Sequence, residues 1–149
     1  MRFIALAAAL ISVPAMAHEE LAALSAQDRH LTCLTQAIYY EARGQSRAGQ
    51  IAVGQVVLNR TRDRRFPSDI CGVVYQRRNN KCQFSWACHR RTHPVNTAEW
   101  GEARNNAMIV MTNIPDITGG ALYFQTVQSN GLHGVRRTVR IDNHLFYRN

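Results

Sequence analysis

Acidic residues are scarce in this chain of 149 residues: ten Asp and Glu stand against eighteen Lys and Arg, a formal net charge of +8. Lysine is almost missing, because Lys81 is the single lysine and the other basic residues are arginines. Such a balance fits an anionic partner, whether nucleic acid, a membrane surface or an acidic polysaccharide, and charge alone does not choose among them. Several signatures are absent. The sequence has no Gly-rich phosphate loop, no G-x-S-x-G and no H-E-x-x-H, so nothing marks nucleotide binding, a hydrolase elbow or a zincin. It has no C-x2-C pair, and His89 and His93 lack a matching ligand pair, which leaves a zinc site without its usual spacing. It has no Gly-X-Y period, sustained heptad, internal repeat or low-complexity tract, and with 46% hydrophobic residues it is not a disordered chain. The length allows one domain, with room for two small lobes.

Long apolar runs are missing too, with one exception at the start. Residues 1–17 place Arg2 before the apolar run Phe3 to Val13 and end on Ala15-Met16-Ala17. That is the layout of a secretory signal peptide cleaved after Ala17, too short to span a bilayer comfortably. The expected division is a signal at 1–17, a leader at 18–30 and one folded domain at 31–149. The mature protein is expected to be exported, periplasmic or secreted, with no stable membrane insertion and as a monomer. Cys33, Cys71, Cys82 and Cys88 follow the signal, an even number that suggests two disulfides in an exported chain. Sequence does not choose among the three pairings, although the Cys82-x5-Cys88 spacing allows a local loop that would leave Cys33 to Cys71.

The chain reads as helices first and strands later, an α+β architecture. Asp28 can cap a helix running to about Arg43, with Gly44 as its stop. Ser46 can cap a second helix to about Thr61, apolar nearly all round and hence buried. Cys82 to Trp86 alternates like a short strand or extended loop, and His89 to Asn96 looks irregular. Thr97 can cap a third helix, with Pro115 beyond its end. Ala121 to Val127 reads as a strand. Val135 to Tyr147 reads as a last strand, with Val139, Ile141, Leu145 and Tyr147 on one face and His144 and Phe146 on the other.

One residue breaks the local rules. Leu34, Ile38 and Glu41 lie at i, i+4 and i+7, so a carboxyl sits on the apolar side of the first helix, widened by Leu31 and Ala37. It also lies in the last turn, where the helix dipole disfavours an anion. Such a carboxyl has its charged form disfavoured and is prepared to donate a proton near neutral pH. Protonation of a glycosidic oxygen is the reaction that most often needs such an acid. The plainer alternative is a surface pairing with Arg43 or another arginine. Gln83, Ser85 and Trp86 offer an amide, a hydroxyl and a sugar-stacking ring in one short stretch, and Tyr123 and His144 could form a cleft wall. The competing reading is that these aromatics and His144 are core residues.

Ile38-Tyr-Tyr-Glu-Ala-Arg-Gly-Gln45, Gly49-Gln-Ile-Ala-Val53 and Val56-Val-Leu-Asn-Arg60 resemble the SleB-type cell-wall hydrolase family. The resemblance continues through Phe66-Pro67, Gly72-Val-Val-Tyr75, Gln83-Phe-Ser-Trp86, Thr118-Gly-Gly-Ala-Leu-Tyr-Phe124 and Asn143-His-Leu-Phe-Tyr147, covering residues 31–147. It implies a lysozyme-like fold, with an N-terminal helical lobe and a small antiparallel β-sheet lobe. It implies cleavage of the peptidoglycan backbone between N-acetylmuramic acid and N-acetylglucosamine, as in lytic transglycosylases, with Glu41 as the single acid and base. No cofactor or metal is implied. Two departures stand out: the chain has no room for the separate peptidoglycan-binding domain of spore-cortex members, and Gln45 replaces the motif's usual second acid. If water were the nucleophile, Asp116 or Asp142 would be the candidate second carboxylate. A secreted basic ribonuclease using His133 and His144 is the main alternative, followed by a non-catalytic peptidoglycan-binding module and a zinc amidase. The expected partner is thus the peptidoglycan glycan strand, not nucleic acid.

Overall fold

A computed structural model describes residues 15–89 and 96–149. Most of the expected signal, and the segment containing His93, lie outside these residues. The first helix, α1, runs Ala15–Ala42. It starts well before Asp28, which lies inside it and accepts a hydrogen bond from Thr32 Oγ1 through its carbonyl (3.0 Å). The Ala/Leu-rich stretch before Asp28 continues the helix because it contains no breaker. From Glu19 to Arg29 the helix is mostly exposed, as Leu21 and Leu24 show, whereas Cys33 to Tyr39 are buried.

Helix α2, Arg47–Thr61, is capped by Ser46, whose side chain accepts from Gly49 N. It is the central helix of the molecule, packed against α1, the short α3 (Ile70–Val74), α4 (Thr97–Met111) and the sheet. Gly54 permits that closeness: a Cβ there would meet Ile38 Cδ1 of α1 at 3.0 Å and Val110 Cγ2 of α4 at 3.1 Å. Asn96 caps α4, accepting from Ala98 N and Glu99 N, so the cap falls one residue before the expected Thr97.

Two antiparallel sheets complete the fold. Strands β1 (Arg77–Arg78) and β2 (Lys81–Cys82) form a hairpin through Asn79 and Asn80, both at positive φ, as a two-residue primed turn requires. The stretch expected to alternate as a strand instead leaves β2 for a 3₁₀ turn, Ser85–Cys88, that carries Trp86. The larger sheet has the order β3-β5-β4, from Tyr123–Thr126, His144–Arg148 and Arg136–Ile141. The single last strand expected over Val135–Tyr147 is therefore a hairpin, turning at Asp142, whose φ is 48°. A short Asx side chain tolerates this left-handed conformation. The turn also changes which side chains share a face. Ile141 pairs with His144 and Val139 with Phe146, so His144 and Phe146 join Val139 and Ile141 instead of opposing them.

The core has two parts. Leu34, Ile38, Val57, Val73, Val74, Phe84 and Val110 fill the helical lobe. Ala52 and Val56 of α2 meet Ala121 and Phe146 beneath the sheet. Phe124 packs against both clusters and so marks their junction.

Disulfides join Cys33 to Cys71 and Cys82 to Cys88. The first ties α1 to α3 across 38 residues of sequence. Replacing Cys33 and Cys71 together with alanine is expected to lower the unfolding free energy by about 3–4 kcal/mol, as closure of a loop of this size implies. The measurement is urea unfolding of both forms, and an unchanged midpoint would count against the cross-link as a source of stability.

Candidate active site

Glu41 is the next-to-last residue of α1, at the C-terminal end where backbone carbonyls face outward. It lines a cleft of about 260 Å³ with Arg60, Cys82, Gln83, Phe84, Ser85 and Phe124. The helix places Glu41, the small hairpin and 3₁₀ turn place residues 82–85, and β3 places Phe124. The cleft thus opens at the junction of the two lobes.

Burial raises the Glu41 pKa above its ordinary value of 4.5, outweighing the hydrogen bond from Trp86 and the positive charge of Arg60, which both lower it. The negative end of the α1 dipole acts in the same direction as burial. Trp86 Nε1 donates to Glu41 Oε1 at 2.8 Å. The indole is itself held: Tyr40 stacks on it with centroids 4.7 Å apart, and Phe84 lies at 5.9 Å on a near-parallel plane. Trp86 therefore fixes the rotamer of the acid. The pairing of Glu41 with Arg43 does not form, because Arg43 Nη1 donates to Tyr39 OH (3.3 Å) and its guanidinium lies over the Tyr39 ring.

The structure brings Gln83 and Ser85 into the cleft with Glu41, and Trp86 against its carboxyl. Gln83 is positioned by its backbone N–H donating to Gln76 O at 2.8 Å. It does not bring Tyr123 or His144 to the cleft lining. Tyr123 lies beside Phe66 (6.2 Å) on β3. His144 is buried against Phe124 and Phe146, and its Nδ1 has no hydrogen-bond partner. Burial lowers the His144 pKa, against a smaller opposing effect of Asp142.

Both candidate second carboxylates are committed elsewhere. Asp116 accepts from Thr118 N, Thr118 Oγ1, Gly120 N and Asn59 Nδ2. Burial pushes its pKa upward, but these hydrogen bonds together hold it below the usual range. Asp142 Oδ2 accepts from Ser46 N at 2.9 Å, and Gly49 makes room for it, since a Cβ there would lie 2.5 Å away. One trio of metal-ligating types, His30, Asp69 and Cys71, comes together between α1 and α3, but the Cys71 sulfur is already in a disulfide.

Arg60, Phe84 and Phe124 escaped the reading of the sequence as cleft residues. Arg60 lies at the end of the second helix and is followed closely by Arg62, Arg64 and Arg65. Its signal was helical spacing: it follows Val56 and Val57 by four and three residues, on the buried face of α2. A larger cleft of about 550 Å³ lies between α2 and α4, lined by Gln45, Arg47, Gln50, Glu102, Asn105, Asn106 and Ile109. Its one carboxyl, Glu102, is exposed, so it lacks the desolvated acid that distinguishes the smaller cleft.

Residues 44–147 match the family model described as Cell Wall Hydrolase, a range that begins three residues after Glu41. The chain is 29% identical over 122 residues to a spore cortex-lytic enzyme of Halalkalibacterium halodurans, covering 80% of this chain and 34% of the relative. It is 30% identical over 118 residues to one of Bacillus cereus, covering 76% of this chain and 42% of the relative. The chain thus spans well under half the length of these curated relatives. Its fold matches the catalytic domain of the germination-specific lytic transglycosylase SleB from Bacillus anthracis with a TM-score of 0.66 and 26% identity, covering 80% of this chain and 93% of that one. The SleB catalytic domain of Bacillus cereus gives the same TM-score at 24% identity, over 81% and 91% of the two chains. With the family model spanning more than half its length, this chain belongs to the cell wall hydrolase family.

Proposed function

We propose that this chain cleaves the glycan backbone of peptidoglycan as a lytic transglycosylase, with Glu41 as both acid and base. The observation that carries this is a single carboxyl in the cleft at the lobe junction, desolvated and held by the Trp86 indole. Protonated Glu41 gives its proton to the oxygen bridging N-acetylmuramic acid and N-acetylglucosamine, and the bond from the muramic anomeric carbon to that oxygen breaks. The resulting carboxylate accepts the proton of the muramic 6-hydroxyl as that oxygen bonds to the anomeric carbon. The products are a free sugar hydroxyl and a 1,6-anhydro end, Glu41 is protonated again, and no water is consumed. A two-carboxylate hydrolase needs a second acidic group across the cleft. Asp116 and Asp142 are unsuited to that role, because each is already bonded to backbone N–H groups.

The relatives' printed names, spore cortex-lytic enzyme and lytic transglycosylase, support the glycan as substrate. Action on a wall polymer requires passage out of the cytoplasm, in keeping with a signal at residues 1–17 and a monomeric, exported enzyme. Among the described residues no helix is long and apolar enough to cross a membrane. The ribonuclease reading loses support from the burial of His144.

Mature protein incubated with peptidoglycan sacculi is expected to release anhydro-muropeptides, identified by mass. Glu41→Gln is expected to reduce release by roughly 10²–10⁴-fold, the usual contribution of a positioned acid–base group. Reducing ends instead of anhydro ends would replace the transglycosylase with a hydrolase, and free stem peptides would point to an amidase. Trp86→Phe removes the hydrogen bond that favours the carboxylate, so the alkaline limb of the activity profile should move to higher pH.

Stability gives a check independent of substrate. A folded-state pKa above the unfolded value makes Glu41 harmless to folding below that unfolded value and destabilising as pH rises through the folded one. Glu41→Gln should therefore raise the melting temperature near neutral pH, with the gain shrinking toward pH 4. A gain that persists undiminished in acid would mean that ionisation of Glu41 is not its source.

A further inference from the structure

Arg60 is a buried cation. It is 3% exposed, and a guanidinium removed from water costs several kcal/mol unless it is paired. Its pairing is incomplete. Nε donates to Leu122 O at 2.8 Å, while Nη1 is buried without a partner. Among the described residues no carboxylate comes within ion-pair distance of it. The rings of Phe66 and Phe84 lie 5.3 and 5.4 Å from its central carbon, which offers the cation two π faces. A cation needed only to hold Leu122 could be replaced by a neutral donor at lower cost. Arg60 also lines the same cleft as Glu41.

We propose that Arg60 is a positioning residue acting through Glu41, a fixed buried counter-charge that stabilises the Glu41 carboxylate after its proton has left. This deepens the reading of Glu41 as acid and base and rests on it. Both halves of that reaction pass through the carboxylate. Desolvation alone would leave Glu41 a weak acid, reluctant to release its proton to a glycosidic oxygen. An acid works best with a pKa near the working pH. Arg60 from α2 and the Trp86 indole from the 3₁₀ turn are the groups that oppose desolvation at Glu41. Facing Arg60 in turn are Tyr123 from β3 and Glu41 from α1, both favouring its charged form. Burial brings Arg60 down to about 10, so it remains a cation at neutral pH. Its lack of a direct ion pair matters: a bonded carboxylate would be locked in the charged form, whereas a nearby cation leaves the proton free to move.

The test follows the carboxyl directly. In protein carrying 13C-labelled glutamate, the Glu41 carboxyl is titrated by NMR in the native form, Arg60→Gln and Arg60→Met. Gln keeps a donor for Leu122 O without the charge, and Met removes both. The expected result is a Glu41 transition at higher pH in both variants, with the alkaline limb of sacculus cleavage moving the same way and the loss falling on kcat, not KM. An unmoved transition would overturn the proposal, even if activity fell, because lost packing alone explains lost activity. In the native protein the Arg60 Nε–H resonance should shift with the Glu41 titration and lose that step in Glu41→Gln. This arm needs no Arg60 variant to fold, and a resonance that ignores the step would also overturn the proposal. Neither titration uses substrate. A coupled titration without cleavage of sacculi would therefore sink the proposed reaction and leave the Arg60–Glu41 coupling standing.

Discussion

Helix α2 is enclosed by other elements, yet it carries Gln50, Gln55, Asn59 and Arg60 among its valines. A buried polar group left unpaired costs about 1–3 kcal/mol, and the surroundings of α2 satisfy most of the polar groups on these side chains, Arg60 Nη1 excepted. Gln50 Oε1 accepts from Asn106 Nδ2 of α4 at 2.9 Å. Gln55 donates to Pro115 O and accepts from Ile117 N. Asn59 reaches Asp116, Thr118 and Ala121 O, and Arg60 reaches Leu122 O. Residues 115–122 are therefore fastened to one helix along three of its positions, Gln55, Asn59 and Arg60. That loop leads into β3, and β3 delivers Phe124 to the cleft. The lobe junction owes its shape to the polar demands of one buried helix.

The cleft shows how a fold can hold an acid in an unfavourable place. Glu41 is desolvated and sits at the wrong end of a helix dipole, and both effects oppose its ionisation. Nothing in the cleft relieves that state fully. Trp86 contributes one N–H, and Arg60 contributes charge without a direct bond. Packing elsewhere offsets the cost: α1 is anchored by buried Leu34, Ile38 and Tyr39 and by the Cys33–Cys71 bridge. A strained acid at the end of a well-anchored helix keeps its position.

The sequence revealed most where a residue violated its surroundings. Glu41 stood out because a carboxyl on an apolar stripe has few structural uses. The buried character of α2 was legible from Ile51, Ala52, Val53, Val56, Val57 and Leu58, which cover more than half its circumference. Gln83, Ser85 and Trp86 were legible as a cluster because they are close in sequence. Arg60 was hidden by its neighbours: Arg62, Arg64 and Arg65 follow it, and a run of arginines reads as surface. Helical spacing from Val56 and Val57 is what separates the one buried member from the exposed ones. The β4–β5 hairpin was hidden for a different reason. Its turn has no glycine at the left-handed position but Asp142, so alternation carries across it with shifted parity and misplaces His144. Asp28 misled in the opposite sense, because a good cap residue does not begin a helix when the residues before it are already helical.

The near absence of lysine gains a meaning at this site. A buried lysine readily gives up its proton, which is why lysines are used where a neutral amine is wanted. A guanidinium resists: even held at about 10 by burial, Arg60 stays charged at neutral pH. A counter-charge that vanished on burial would leave the carboxylate unsupported when it forms. Arginine is also planar and weakly hydrated, so the faces of Phe66 and Phe84 can take over part of the role of water. Exposed arginines contribute to a general positive field, and lysine could do that equally well. At position 60 it could not, because there the charge must survive the loss of solvent.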